Sequence, residues 1–394
     1  MRRRRKRTMA AFDSGNIFEL IDKMRDNIDN EYQKFTTLNI VVAGKTGVGK
    51  STLINSVFSE KLAKTGYGDP VTEDIKKIRK EGYPLVIYDT PGLELKGEHS
   101  TQELLDDIQE LIQSGMRTGD ANEAIHAVWY CISTASGRIE PTEIEFLNQL
   151  SQRTSYCEVP FFVVLTKSIS PEETDAMRAA IEGENLPITK VIPVLAEDYR
   201  IDAKRIVPAG GLDNLVYEMS NVLDESVQKT FASIQNVSLE LKQQSARKTV
   251  RNVVAAAAVT GAAPIPGPDA PVLTAAEVAM IASITAKFGL HFKREEIVGL
   301  VNALVGTTGA TGIGRTTVAN VLKLIPGAGT VIGGAISAVT AATLTAALGE
   351  AYIIILSKIA KGELKMSDLS TKKGQKAMKQ EFDKQLKKSK SLVS

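Results

Sequence analysis

Between residues 38 and 222, short apolar runs alternate with stretches whose apolar residues recur every three or four positions. The runs 38–43 (LNIVVA), 85–89 (LVIYD), 127–132 (AVWYCI), 161–166 (FFVVLT) and 191–195 (VIPVL) are rich in β-branched and aromatic residues, which predicts buried strands. The stretches 100–114, 141–151 and 171–182 carry helical spacing. Strand and helix in alternation predict an α/β fold with a mainly parallel sheet. Residues 75–83 (IKKIRKEGY) place charges beside apolar positions and predict an exposed edge strand turning at Gly82. Upstream, Ile17, Leu20, Ile21, Met24, Ile28 and Tyr32 share one helical face, so 14–35 predicts an amphipathic helix docked on a neighbouring domain.

Beyond Gly210 and Gly211 the pattern changes. A long charged helical stretch runs from about 213 to 251, followed by segments rich in Ala, Gly and Thr. Residues 252–268, 297–314 and 324–349 contain no charged residue over 17, 18 and 26 positions, lengths that raise a membrane reading. The first is interrupted by PIPGP (264–268) and the second by GTTGATGIG (306–314), which leaves 324–349 as the one stretch able to span a bilayer. Its small residues, including the pair Gly329 and Gly333, equally suit helices packed closely in a soluble bundle. Both readings stay open at this point. The similar pieces APIPG (263–267) and LIPGA (324–328) read as helix–loop–helix corners.

With 394 residues, 43% hydrophobic and 24% charged, the chain has the composition of a two-domain folded protein. The expected organisation is a disordered basic tail (1–13), an N-terminal helix packing on the helical domain (14–36), an α/β domain (37–225), a helical domain (226–365) and a basic C-terminal tail (366–394). The net charge of +2 hides basic clusters at both ends, Arg2 to Arg7 and Lys384, Lys387, Lys388 and Lys390. For the N-terminal run a solvated tail competes with contact to anionic lipid or nucleic acid. No apolar segment follows the arginines, and only Cys131 and Cys157 are present, which predicts reduced thiols in a cytoplasmic protein, with peripheral or integral membrane association as the alternative. Two cysteines and three histidines supply no Cys/His metal cluster and no hydrolase triad, and the charge pattern supplies no specific nucleic-acid module.

The chemistry concentrates in 44–51, GKTGVGKS, which satisfies every fixed position of G-x-x-x-x-G-K-[ST]. It follows a predicted strand and opens a helical pattern, the context in which glycines turn backbone N–H groups around phosphate oxygens at a helix N-terminus. Gly44, Lys45, Thr46, Gly47, Val48, Gly49, Lys50, Ser51 and Thr52 then line the cradle, with Lys50 on the β and γ phosphates and Ser51 donating its hydroxyl oxygen to Mg²⁺. About forty residues on, Asp89-Thr90-Pro91-Gly92 ends a predicted strand, placing Asp89 to hold Mg²⁺ through water and the Gly92 N–H to meet the γ-phosphate.

With both motifs intact, residues 38 to about 200 resemble a P-loop small GTPase of the translation-factor-related class. The resemblance implies GTP/GDP and Mg²⁺ as ligands, with Thr72 completing the metal shell beside Ser51 and Asp89, and Lys50, Thr72 and Gly92 acting on the γ-phosphate; Thr65 is the second choice for Thr72. It implies a base site at Thr166-Lys167-Ser168-Ile169, where Lys167 lies along the base and Ile169 stands where such proteins carry Asp, and at Ala196 in the following loop. It also implies slow turnover helped by a partner or a homodimer across the nucleotide face, because Leu93 stands where many such proteins have a water-positioning glutamine; Thr46, Glu94 and His99 are the in-chain alternatives. The region 226–362 resembles the glycine-rich helical domain of uncharacterised bacterial GTPases, and the plan as a whole is similar to that of immunity-related GTPases.

The sequence therefore predicts a Mg²⁺-dependent GTPase switch whose nucleotide state controls a helical effector domain, with guanine nucleotide and a membrane surface as partners. Low-selectivity NTPase or ATPase activity, nucleotide binding without turnover, and nucleotide-gated membrane insertion are the rivals.

Overall fold

The computed structural model describes residues 14–58, 67–70, 75–90, 101–259, 275–290, 292, 295–298, 300 and 338–390. The chain divides into two compact units, one formed by 34–241 and the other by the N-terminal segment to Gln33 together with 242–394.

The first unit is built on a seven-stranded sheet in the order β2-β3-β4-β1-β5-β6-β7. Its strands are β1 (Leu38–Ala43), β2 (Tyr67–Pro70), β3 (Lys76–Arg79), β4 (Leu85–Asp89), β5 (Ala127–Ser133), β6 (Phe161–Thr166) and β7 (Lys190–Pro193). From β4 to β7 all pairings are parallel, whereas β3 runs antiparallel to β4 and β2 antiparallel to β3. Continuous apolar runs are what a parallel strand covered on both faces requires, and β1, β6 and nearly all of β5 are buried throughout. Alternate residues serve the two faces. Leu38, Ile40, Val42, Trp129 and Phe162 meet Leu53 and Val57 of α2 (Lys50–Val57), Leu215 and Met219 of α6 (Leu212–Val222), and Phe231 of α7 (Glu225–Ile234). On the other face, Val41, Tyr130 and Val163 meet α3 (Thr101–Thr118), α4 (Pro141–Tyr156) and α5 (Pro171–Gly183) through Leu104, Ile108, Leu147, Leu150, Met177 and Ile181. The result is the expected three-layer α/β domain.

Two expectations are corrected within this unit. The 75–83 segment does form a strand that turns at Gly82, but it is not the edge: β2 pairs outside it, register Tyr67 to Arg79 and Pro70 to Lys76. The 213–251 stretch is three helices, α6, α7 and α8 (Leu239–Val259), because the chain extends at Leu223 and again at Gln235. Gln235 is fully buried and bridges Phe58, and its Oε1 accepts the N–H groups of Val237 and Ser238 at 2.8 and 2.7 Å, which ends one helix and sets up the next. Phe58 stacks on Trp129 at 6.0 Å between centroids, and the Asn236 N–H donates to Val57 O at 2.7 Å. The C-terminus of α2 is thereby fastened to the segment that leads into α8.

At the edge of the sheet opposite the strand tips that carry the motifs, buried Asn39 donates through Nδ2 to Asn122 O and Ala124 O, each at 2.8 Å. The Asn39 N–H donates to His126 Nδ1 at 3.0 Å, so that nitrogen carries no proton in the fold. Burial holds the His126 pKa below its ordinary value, outweighing the opposite pull of the Ala121 backbone and Asp224. A base whose folded pKa is depressed binds fewer protons than the unfolded chain, so its contribution is intact above the unfolded value near 6.5 and is lost as pH falls toward the folded value. As pH falls from 7.5 to 5 the wild type should lose more stability than His126→Gln. Urea unfolding read by Trp129, the sole tryptophan and fully buried, measures this; equal losses in the two proteins refute it.

The second unit is helical. α1 (Ser14–Gln33) buries Ile21, Met24 and Ile28 and lies against α9 (Ala275–Lys287), so an N-terminal segment completes a domain otherwise built from the C-terminal part. α10 (Ala338–Ala360) packs on α8, α9 and α11 (Lys372–Lys390): Gln243 Nε2 donates to Ser357 Oγ at 2.8 Å, Arg247 pairs with Glu350 at 3.2 Å, and the Thr285 and Tyr352 hydroxyls meet at 2.7 Å. A Cβ on Gly349 would stand 2.6 Å from Val250, so this glycine permits the close crossing of α8 and α10. Residues 366–390, the described part of the expected tail, are folded. Met378, Phe382 and Leu386 form a buried stripe along α11, and Lys358 pairs with Glu381 at 2.7 Å. Among the described residues one helical segment, Ala342–Ala360, is apolar and long enough to cross a bilayer, and 56% of it is buried inside the protein. The corners at 263–267 and 324–328, the Gly329 and Gly333 pair, and most of the three uncharged stretches lie outside the described residues.

Candidate nucleotide site

The strands β1, β4, β5 and β6 deliver their C-terminal ends to one edge of the sheet, where ligands of open α/β folds bind. From β1 the chain enters the 44–51 loop and then α2, whose first residue is Lys50. Gly44 has φ 136°, and a Cβ there would lie 2.3 Å from the Cys131 carbonyl oxygen, so the loop leaves the strand only because no side chain stands at that point. Gly47 and Gly49 also have positive φ, 75° and 110°. Lys50 Nζ donates to Gly44 O at 2.7 Å and lies 3.4 Å from Lys45 O, closing the loop around its own ammonium. Ser51 is exposed in the first turn of α2, Thr52 half-buried beside it, and Val48 buried beneath the loop.

Lys45 points elsewhere. Its Nζ meets Glu140 Oε2 at 2.9 Å and Glu143 Oε2 at 3.0 Å, at the start of α4. Burial lowers its pKa, but the two carboxylates outweigh burial and the net shift is upward. Asp89 ends β4, and burial raises its pKa against the pull of Lys50 and Lys76. Its Oδ1 is buried and, among the described residues, has no hydrogen-bond partner. A buried carboxylate oxygen left without a donor among the described residues, at the strand end next to the loop that carries Lys50 and Ser51, fits a hard divalent cation such as Mg²⁺. Among the described residues no group of three or more His, Cys, Asp or Glu could hold a metal unaided, so such an ion needs hydroxyl, water or phosphate oxygens as well. Cys131 lies behind the loop with burial pushing its thiol up to about 12, an inert packing group.

The third part is the turn after β6. Thr166 Oγ1 donates to Val48 O at 2.6 Å, with Ile132 O 3.1 Å away, tying this turn to the phosphate loop. Lys167 has φ 53° and lays its side chain across to Gly47 O at 2.8 Å, and Thr134 Oγ1 donates to Lys167 O at 2.8 Å. Ser168 N–H reaches Val194 O at 3.3 Å, which brings the 194–198 loop alongside; Ala196 is half-buried there. Ile169 is half-buried, and Ser170 caps α5 by accepting the Glu173 N–H at 3.4 Å.

Of the predicted site residues, the structure brings together Gly44 to Thr52, Asp89, Thr166, Lys167 and Ala196 on one edge. Thr72 and Gly92, with Thr65, Leu93, Glu94 and His99, lie outside the described residues. Missed from sequence were Glu140, Glu143 and Thr134, because nothing local pairs Lys45 with Glu140, 95 positions away, or with Glu143 beyond it, or Thr134 with Lys167, 33 positions away.

A phosphate loop in this position, with a strand-end carboxylate beside it and a lysine turn bridging to it, defines a P-loop GTPase-type domain, here followed by a helical C-terminal region. Residues 39–167 match the family model described as 50S ribosome-binding GTPase, and residues 226–389 match a domain of unknown function, DUF697. The chain is 27% identical over 161 residues to septin-9 of Rattus norvegicus, covering 34% of this chain and 28% of that one. To GTPase Era of Clostridium botulinum it is 30% identical over 162 residues, covering 40% of this chain and 49% of that one. The chain thus spans between about a quarter and a half of the length of these two relatives. A crystal structure of a probable GTP-binding protein engB aligns with 18% identity, covers 47% of this chain and 97% of that one, and gives a TM-score of 0.30.

Proposed function

We propose that the protein is a Mg²⁺-dependent, GTP-binding and GTP-hydrolysing switch whose nucleotide state controls its helical domain, with a membrane surface as the place of action and a homodimer across the nucleotide face as the active assembly. One observation carries the nucleotide part: Lys50 turned into its own loop, 2.7 Å from Gly44 O, next to the unpartnered Asp89 oxygen. On binding, the triphosphate takes the place of the loop carbonyl as the partner of the Lys50 ammonium, while loop N–H groups and the α2 N-terminus receive its oxygens. Ser51, Asp89 and Thr72 would hold Mg²⁺, which neutralises charge developing on the phosphates. The bridge from Phe58 to Gln235 supports the coupling, because it joins the end of the phosphate-loop helix to the entry of α8. The apolar segment Ala342–Ala360 supports the membrane part.

A second reading, low base selectivity, is favoured by Ile169. An aliphatic side chain accepts neither the N1 nor the N2 hydrogen of guanine, so the selectivity of the wild type over ATP should be modest, below about tenfold. Ile169→Asp supplies the missing acceptor and should tighten GTP by roughly 10- to 100-fold while leaving ATP unchanged. Calorimetric titration of both proteins with GTP, GDP and ATP in Mg²⁺ decides. Equal wild-type affinity for GTP and ATP ends the guanine assignment, and failure to bind any of the three ends the nucleotide reading.

A further inference from the structure

The carboxylate of Glu143 is an unusual feature of the phosphate-loop surroundings. Its side chain is 5% exposed, on the third residue of α4, far from the loop in sequence. Its Oε1 accepts the hydroxyl of fully buried Tyr130 at 3.2 Å, and its Oε2 receives Lys45 Nζ at 3.0 Å. Lys45 is the second residue of the loop. Its main-chain oxygen accepts the Val48 N–H at 3.4 Å and lies 3.4 Å from Lys50 Nζ, so the residue held by Glu143 also shapes the turn in which Lys50 works. Glu140, the other partner of Lys45, is 60% exposed and adds little to such a pair.

Two explanations of this chain of contacts make opposite forecasts. If the two groups do no more than satisfy each other's buried charge, removing both leaves fold and ligand binding unchanged: replacing a whole buried ion pair with apolar or neutral groups of similar length is commonly neutral or stabilising. An ammonium at the N-terminus of α4 also faces the positive end of the helix dipole, a poor place for a cation with no other duty. If the pair exists to shape the loop, the fold survives its loss while ligand binding suffers, because a displaced loop no longer presents its N–H groups where the phosphates sit.

We propose that Glu143, backed by Tyr130, is a positioning residue for nucleotide binding: through Lys45 it holds the first turn of the phosphate loop in the shape that receives the triphosphate. The proposal rests on the nucleotide reading above. Lys45 does not leave Glu143 for the phosphates, since that would strand a carboxylate in a buried site. Its side chain is a tether and its main chain is the working part.

The test uses the full chain, Mg²⁺ and fluorescently labelled GDP, with thermal melts followed through Trp129. Lys45→Met and Glu143→Gln should each weaken binding about tenfold, and the double variant should also lose about tenfold rather than a hundredfold, because both act through one contact. Lys45→Arg, which keeps the charge pairing, should bind within about threefold of wild type, and Glu140→Gln within about twofold. The melting temperature of Lys45→Met should fall, because Glu143 is left buried without its cation, whereas the double variant, which carries neither charge, should melt within a few degrees of wild type. Binding by Lys45→Met within twofold of wild type overturns the proposal, as does a hundredfold loss in the double variant. If Glu143→Gln fails to fold, Lys45→Met against Lys45→Arg decides alone. Should wild type itself bind no labelled nucleotide, the nucleotide reading fails first, and the proposal with it.

Discussion

Lys50→Ala should abolish measurable binding of GTP and GDP in Mg²⁺, a loss of at least 100-fold by calorimetric titration, while the fold persists. Lys50 Nζ sits 2.7 Å from Gly44 O and 3.4 Å from Lys45 O, on the first residue of α2, where it is half-buried. Each charge-assisted hydrogen bond to a phosphate oxygen contributes roughly 1.5–3 kcal/mol. With two such bonds lost, affinity falls by roughly 3–6 kcal/mol, which is two to four powers of ten. The structural penalty is smaller, because the protein loses only the part-buried hydrogen bond to Gly44 O and the longer contact to Lys45 O. A melt read through Trp129, packed below the loop on β5, should therefore shift by only a few degrees. A variant that folds and binds GTP within tenfold of wild type would show that the loop is not a phosphate cradle.

Much of this site was legible because its requirements are local. GKTGVGKS fixes backbone shape at each position, and β1 and β6 announce themselves because parallel strands buried on both faces need unbroken apolar runs. What escaped was set by distant contacts. β2 is four residues, YGDP, with no alternation and a proline, and it exists because β3 offers a pairing edge. Gln235 reads as one more polar residue in a helix, and only the groove beside Phe58 turns its amide into a cap. In α11 the lysines hide the spacing of Met378, Phe382 and Leu386, which is apparent once α10 supplies a surface for them. His126 and Glu143 carry no signature at all. Their roles come from Asn39, 87 positions away, and from Lys45. Sequence thus reveals the loop and its flanking strands and conceals the groups that hold the loop in place.

Gly44→Ala should damage the first unit more than any other single methyl added to the loop. The Cβ would sit 2.3 Å from Cys131 O, 3.2 Å from the Cys131 carbonyl carbon and 3.3 Å from its Cβ, and φ at this residue is 136°, which L side chains avoid. Neither obstacle yields easily, since the colliding atom belongs to the backbone of β5, hydrogen-bonded on both sides by β1 and β6. Relief requires the loop to leave the strand by another path, which breaks the geometry of Lys50 as well. Strain of this kind is worth about 1–3 kcal/mol for the dihedral, with overpacking against a rigid neighbour adding a similar amount, so a loss of roughly 3–5 kcal/mol is expected. For a unit of this size that lowers the melting temperature by roughly 6–20 °C. Gly47→Ala is the control. Its φ of 75° is also left-handed, but nothing stands within 4 Å of the added Cβ, so only the dihedral cost of about 1–2 kcal/mol applies. Melts read through Trp129 should rank the proteins wild type, Gly47→Ala, Gly44→Ala, with the second gap larger than the first. Equal destabilisation by the two alanines would mean that the loop moves freely off the end of β1, and that close contact with Cys131 does not shape the site.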